Sequence, residues 1–229
     1  MSDSAKKLSL NAFQIKLLAC LFMLTDHTGI LLVPHDAAIY VYMRMIGRLS
    51  FPLFAYMTAN GYRHTSNVGK YLLRLLIFTG VMELINAFLL GSRHFNIFGT
   101  LALGLAAIAL WDKLDSGQRI NIRGAAAVII AAALAQLLKM DYGAYGVLLI
   151  FSCHLLYGRS AVLALVWIPL SLIGWKLGAV GQDQLLAVCA LPILELYNNR
   201  PGPRGFWAKW GFYLFYCLHL PLLYGLSQL

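Results

Sequence analysis

The charged residues of this chain sit almost entirely at the ends of long apolar runs, and the exceptions, Asp26-His27, Arg44, Arg48 and Glu83, fall inside them. Runs of that length can satisfy their backbone polar groups as helices and cross a bilayer. A charge held inside one is costly, so it marks a functional site or an ion pair that joins helices. With 60% hydrophobic and 12% charged residues among 229, the composition excludes a water-soluble globule of ordinary make-up.

A window of about 19 residues predicts spans near 12–33, 38–62, 70–91, 96–112, 121–138, 141–158, 160–176, 182–196 and 209–228. The expectation is an all-α, polytopic membrane bundle of about nine helices. A polar tail occupies 1–11 and a single transmembrane domain occupies 12–229. The run after the tail has no small-residue cleavage site, so the first span is expected to be retained. The fourth and eighth spans are short and fit tilted or re-entrant segments.

Orientation follows from the basic residues. With the N-terminus inside, thirteen face the cytoplasm (Lys6, Lys7, Lys16, Arg63, Lys70, Arg74, Lys113, Arg119, Arg123, Arg159, Arg200, Arg204 and Lys209) and three lie outside (Arg93, Lys139 and Lys176). That imbalance favours N-in, and it accounts for most of the +9 net charge without a nucleic-acid partner. Attraction to anionic lipid headgroups accounts for the rest. Cys20, Cys153, Cys189 and Cys217 all fall in apolar spans with no CxxC pair, so no metal site or disulfide is expected.

Asp26 and His27 lie six or seven residues from the outer end of the first span; Arg44 and Arg48 enter the second from the same side. All lie roughly 9–15 Å below the outer surface at 1.5 Å per residue. Arg44 and Arg48 share a helix face, and with Asp26 and Glu83 they form a formally neutral set. Two ion pairs could join three helices without any chemistry. His27 is left over, titrates near neutrality and suits proton transfer, although a buried histidine can also be a satisfied core residue. Lys16 is three turns before His27 on the same face, about 16 Å away along the axis. It could anchor an anion whose extended arm reaches the histidine, or simply snorkel to the inner headgroups. Arg63, His64, Lys70 and Arg74 flank the next inner loop, a layout that suits coenzyme A phosphates as well as positive-inside topology. Asn96 opens the fourth span as a cap or an acyl-carbonyl donor. His219, with Tyr213 and Tyr216 nearby, is a candidate polar lining.

The stretches KLLACLFMLTDHTG from Lys16, GRLSFPLFAYMTANGYRHTSNVGKYLLRLLIF from Gly47, NIFGTLALGLAAIA from Asn96 and KWGFYLFYCLHLPLLY from Lys209 resemble the TraX family of conjugative pilin N-acetylases across nearly the whole chain. That family is similar to the acyltransferase-3 group, in which a basic residue, ten intervening residues and a histidine mark the first helix; Lys16 and His27 match, with lysine where arginine is usual. The resemblance implies a bacterial inner-membrane acetyltransferase that takes acetyl-CoA from the cytoplasm and acetylates an amine, such as a pilin N-terminus, reached from the outer side. His27, positioned by Asp26, would be the base. Arg44, Arg48, Glu83, His219 and Tyr216 would face substrate or oxyanion, and Lys16, Arg63, His64, Lys70, Arg74 and Asn96 the donor. A ping-pong route through His27 or Cys20 stays open. A transporter or channel would use the same buried charges, but it predicts repeat symmetry that the sequence lacks.

Overall fold

A computed structural model describes residues 9–89, 96–117, 119–203 and 205–229; Lys6, Lys7, Arg93 and Arg204 lie outside them. Among the described residues the fold is all-helical. It comprises α1 (Ala12–Leu32), α2 (Ala38–Gly47), α3 (Ser50–His64), α4 (Val68–Leu89), α5 (Ile97–Lys113), α6 (Ile122–Leu137), α7 (Gly143–Leu155), α8 (Ser160–Lys176), a 3-10 segment (Gln182–Ala190), α9 (Leu191–Glu195) and α10 (Phe206–Ser227).

Two expected spans are interrupted, and in both a proline is the reason. The second splits into α2 and α3 at Arg48-Leu49. Pro52 sits in the first turn of α3, where its missing N–H is tolerated but its ring excludes a continuous helix through the Arg48 carbonyl. The eighth is a nine-residue 3-10 segment followed by the five-residue α9. Pro192 stands at the start of α9 and in the same way prevents an α-helix from running through.

α3 is the central helix: from Ser50 to Asn60 every residue but Phe54 is buried. It packs against α1, α5 and α7, while α5, α6 and α7 form a second mutually packed group. Small residues allow the close approaches. A β-carbon on Gly104 would meet Ile150 Cδ1 at 2.6 Å, and one on Gly146 would meet Thr100 Cγ2 at 2.5 Å. α1 also packs against α2 and α10, and the Ser50 hydroxyl donates to the Ala19 carbonyl at 2.8 Å, tying α3 to it.

A capping box opens α1: the Asn11 side chain accepts from the Gln14 N–H, and Gln14 accepts in return from the Asn11 N–H. Just before it, Leu10 N–H donates to the Leu196 carbonyl at 2.7 Å, and the Leu10 carbonyl accepts from Asn198 N–H at 2.9 Å. The start of α1 is thereby strapped to the segment ahead of α10.

The apolar pattern is turned outward. Leu17 and Leu21 of α1, Leu73, Leu76, Ile77 and Phe88 of α4, and Ile129 and Ile130 of α6 are exposed, while Asp26, Asn60, Thr100, Gln184 and His219 are buried. By length and composition α1 and the Val68–Phe88 stretch of α4 are able to cross a membrane; α6, α7 and α8 are apolar but shorter.

Candidate functional site

The buried charges gather where α1 meets the break between α2 and α3. Arg44 Nη1 lies 2.7 Å from Asp26 Oδ2, and Arg48 Nη2 lies 3.1 Å from both Asp26 oxygens. Through Nε, Arg48 also reaches Asp183 Oδ2 at 3.1 Å, at the start of the 3-10 segment. Side-chain exposures of 12% for Asp26 and Arg48 and 23% for Arg44 leave little water to screen them, so each ion depends on its partners. The neutral set is therefore Asp26, Asp183, Arg44 and Arg48.

Asp183 takes the place that charge balance alone assigned to Glu83. Glu83 lies on α4, which does not pack on α2 or the 3-10 segment, and its Oε2 is buried without a hydrogen bond. The sequence signal for Asp183 was the polar triplet Gln182-Asp183-Gln184 opening an otherwise apolar stretch.

His27 is oriented by another residue than expected. Asp26 is occupied by the arginines, whereas His27 Nδ1 lies 2.7 Å from His219 Nε2 of α10, the two rings edge to edge with centroids 4.9 Å apart and planes inclined by 21°. His219 Nδ1 lies 3.0 Å from the Phe215 carbonyl and 2.8 Å from the Tyr216 carbonyl. A carbonyl oxygen only accepts, so the network assigns the His219 proton to Nδ1. With both rings neutral, His219 Nε2 then accepts from His27 Nδ1–H. The lone pair of His27 is left on Nε2, the state a general base needs. Tyr216 is buried with its ring edge-on to His219.

A cavity of about 900 Å³ connects this centre with the far end of α1. It is lined by His27, Asp26 and five cations, Lys16, Arg44, Arg48, Arg74 and Lys209. Lys16 lies over the Phe212 ring at 4.9 Å, and Arg74 over Tyr71 at 5.4 Å. His64 lines the same space. Gln184, fully buried, borders it as well. Its polar neighbour is Tyr145, yet neither its amide oxygen nor its nitrogen forms a well-made hydrogen bond. A buried amide in that condition calls for a polar ligand or water.

Other expected donor contacts are used elsewhere. Arg63 donates to the His154 carbonyl at 2.7 Å and lies over the Tyr157 ring. Lys70 is exposed and does not line the cavity. Asn96 caps α5 through Phe98 N–H and donates to the Thr79 carbonyl at 2.9 Å. Cys20, Cys153 and Cys217 are buried free thiols and Cys189 is an exposed one. Among the described residues no group of three or more histidine, cysteine or acidic side chains could hold a metal ion.

Fold and site together define an all-helical protein with an outward apolar surface, an internal ion-pair cluster and a histidine pair at the end of a cationic cavity. The chain belongs to the TraX family, whose model, described as TraX protein, matches residues 11–227. It is 26% identical over 242 residues to a Dichelobacter nodosus protein named as probable fimbrial assembly protein FimC, serogroup H1, with 96% of each chain covered. No solved structure matches it.

Proposed function

We propose that this protein is a multi-pass acetyltransferase of the bacterial inner membrane, oriented N-in, that moves an acetyl group from cytoplasmic acetyl-CoA to an amine presented from the outer side. The outward apolar faces of α1, α4 and α6 support the membrane setting. The observation that carries the chemistry is the hydrogen-bond chain from the Phe215 and Tyr216 carbonyls through His219 to His27. It leaves an acceptor nitrogen on a ring that borders a large cationic cavity. The similarity to a protein named for fimbrial assembly supports a pilin as partner and acceptor.

The cavity fits a long anionic donor. Its volume of about 900 Å³ is in the range of small-molecule sites. Lys16, Arg74 and Lys209 supply charge for phosphates at one end, and the unsatisfied Gln184 amide supports a polar occupant. Bound acetyl-CoA would contribute a thioester, which is open to attack by a neutral amine. Lys16 and its neighbours hold the phosphates, and the length of α1 between Lys16 and His27 sets the reach of the arm. As the new C–N bond forms, His27 Nε2 takes the proton that the amine loses. As the C–S bond breaks, it returns that proton to the departing thiolate. His219 holds the tautomer throughout. Arg44, the more exposed of the two arginines, stabilises the oxyanion in this reading.

The test is transfer from radiolabelled acetyl-CoA to N-terminal peptides and amino sugars by purified full-length protein, with His27→Ala beside wild type. Transfer by wild type and its loss in folded His27→Ala is the expected result. Folded wild-type protein that binds no acetyl-CoA would overturn the reading.

A further inference from the structure

His27 borders a second, smaller space that the donor layout does not use. This cavity, about 230 Å³, lies between the outer halves of α1, α4 and α10. His27, Asp141 and Tyr216 line both cavities, so the two meet at the histidine. Their chemistry is opposite. The large cavity is lined by five lysines and arginines. The small one has none among its described lining residues; its polar groups are His27, Asn86, Asn96, Asp141, Tyr216 and Tyr224, and the remainder are Leu, Ile and Met.

A second observation concerns α4. Glu83 Oε2 and Asn86 Oδ1 are both buried and both lack a hydrogen bond. They are acceptors three residues apart, hence neighbours on the helix, and of the two Asn86 lines the cavity. Buried acceptors without donors are costly, and a primary amine, charged or neutral, brings two or three N–H donors. The helices around the cavity are apolar on their exposed sides, with Leu84 and Phe88 on α4 and Leu222 and Leu226 on α10. Apolar faces on both sides suit an occupant that is itself apolar beyond its amine.

Resting on the acetyltransferase reading, we propose that the α1/α4/α10 cavity is the acceptor subsite, and that it takes a primary amine at the end of an apolar chain, entering sideways between α4 and α10. Asn86, which lines the cavity, accepts from the amine, Glu83 contributes its charge from one turn away without lining it, and His27 faces the amine across the junction with the donor cavity. The five cations of the donor cavity select the anionic donor there, and the acceptor groups of Asn86 and His27 select the amine here, which sorts the two substrates.

The test uses full-length protein in lipid vesicles with Cys189→Ser removing the exposed thiol. A cysteine at Ile85→Cys is treated with 2-aminoethyl or 2-sulfonatoethyl methanethiosulfonate, and each rate is normalised to that for free cysteine. The expected result is at least a tenfold preference for the amine reagent, which falls toward unity when Glu83→Gln and Asn86→Leu are added. The aminoethyl-blocked protein binds acetyl-CoA with unchanged affinity but loses transfer to an apolar peptide with a free N-terminus. Equal or faster reaction with the sulfonate reagent would overturn the proposal. So would loss of acetyl-CoA binding on blocking, or peptide acetylation at the unblocked rate. If the charge preference holds while unblocked protein transfers nothing to any acceptor, the acetyltransferase reading falls and the amine site stands.

Discussion

Gly47 and Asp26 are packed so closely that a β-carbon on Gly47 would lie 2.2 Å from Asp26 Oδ1. The lack of a side chain at 47 is what lets α2 deliver Arg44 and Arg48 to the carboxylate. Gly47→Ala must push Asp26 away from both guanidinium groups. Overpacking of this kind costs about 1–3 kcal/mol, and it is read as a lowered Tm in detergent. Gly80→Ala, where a β-carbon meets nothing within 4 Å, serves as the control with little change.

Within the ion cluster, the loss depends on what is left behind. Arg48→Met strips Asp183 of its guanidinium and takes one of two from Asp26, leaving a surplus negative charge. The expected destabilisation is about 3–5 kcal/mol. Asp183→Asn costs less, because Asp183 is 33% exposed and water replaces part of the interaction. Unfolding of the two variants under identical detergent conditions gives the order; a larger loss for Asp183→Asn would contradict it.

His219→Phe fills the space but accepts no hydrogen bond, so His27 loses its fixed tautomer. Acetyl transfer is expected to drop in kcat by about 10-fold, less than the 10²–10⁴-fold worth of the base itself, because part of the His27 population keeps the productive tautomer, with the donor KM unchanged. His219→Gln, whose amide oxygen can still accept from His27 Nδ1–H, retains more activity. Nitrogen NMR of the His27 ring reports the same property directly: a protonated Nδ1 in wild type and a tautomer mixture in His219→Phe.

Lys16 works at the other end of the large cavity. Lys16→Gln is expected to raise the acetyl-CoA KM by about 10-fold, equivalent to about 1.4 kcal/mol, with kcat unchanged. A donor shortened to its pantetheine portion has no phosphates for Lys16 and is used equally by both proteins. A matching loss with the short donor would assign Lys16 a structural role.

The helical runs were legible because each keeps one composition over a dozen residues or more, and the outward apolar faces follow from the same pattern. The breaks at Arg48-Leu49 and ahead of α9 were present in the sequence as Pro52 and Pro192, but a long averaging window passes over a single proline. Asp26, Arg44 and Arg48 could be matched by depth because they lie on adjacent helices. Arg48–Asp183 and His27–His219 could not, since α2 meets the 3-10 segment and α1 meets α10 only through tertiary packing. Charge balance therefore chose Glu83, a residue at the right depth on a helix that faces elsewhere.

The strap between Leu10 and the segment 196–200 has a consequence for biosynthesis. A ribosome delivers α1 first, and the hairpin with α2 can cover Asp26 almost at once. Arg44 and Arg48 then outnumber that carboxylate until Asp183 emerges, and both the strap and His219 come later still. The unfinished protein is thus electrically different from the finished one: the ion cluster keeps a surplus positive charge until Asp183, in the last third of the chain, is made. The cluster becomes neutral only late in synthesis.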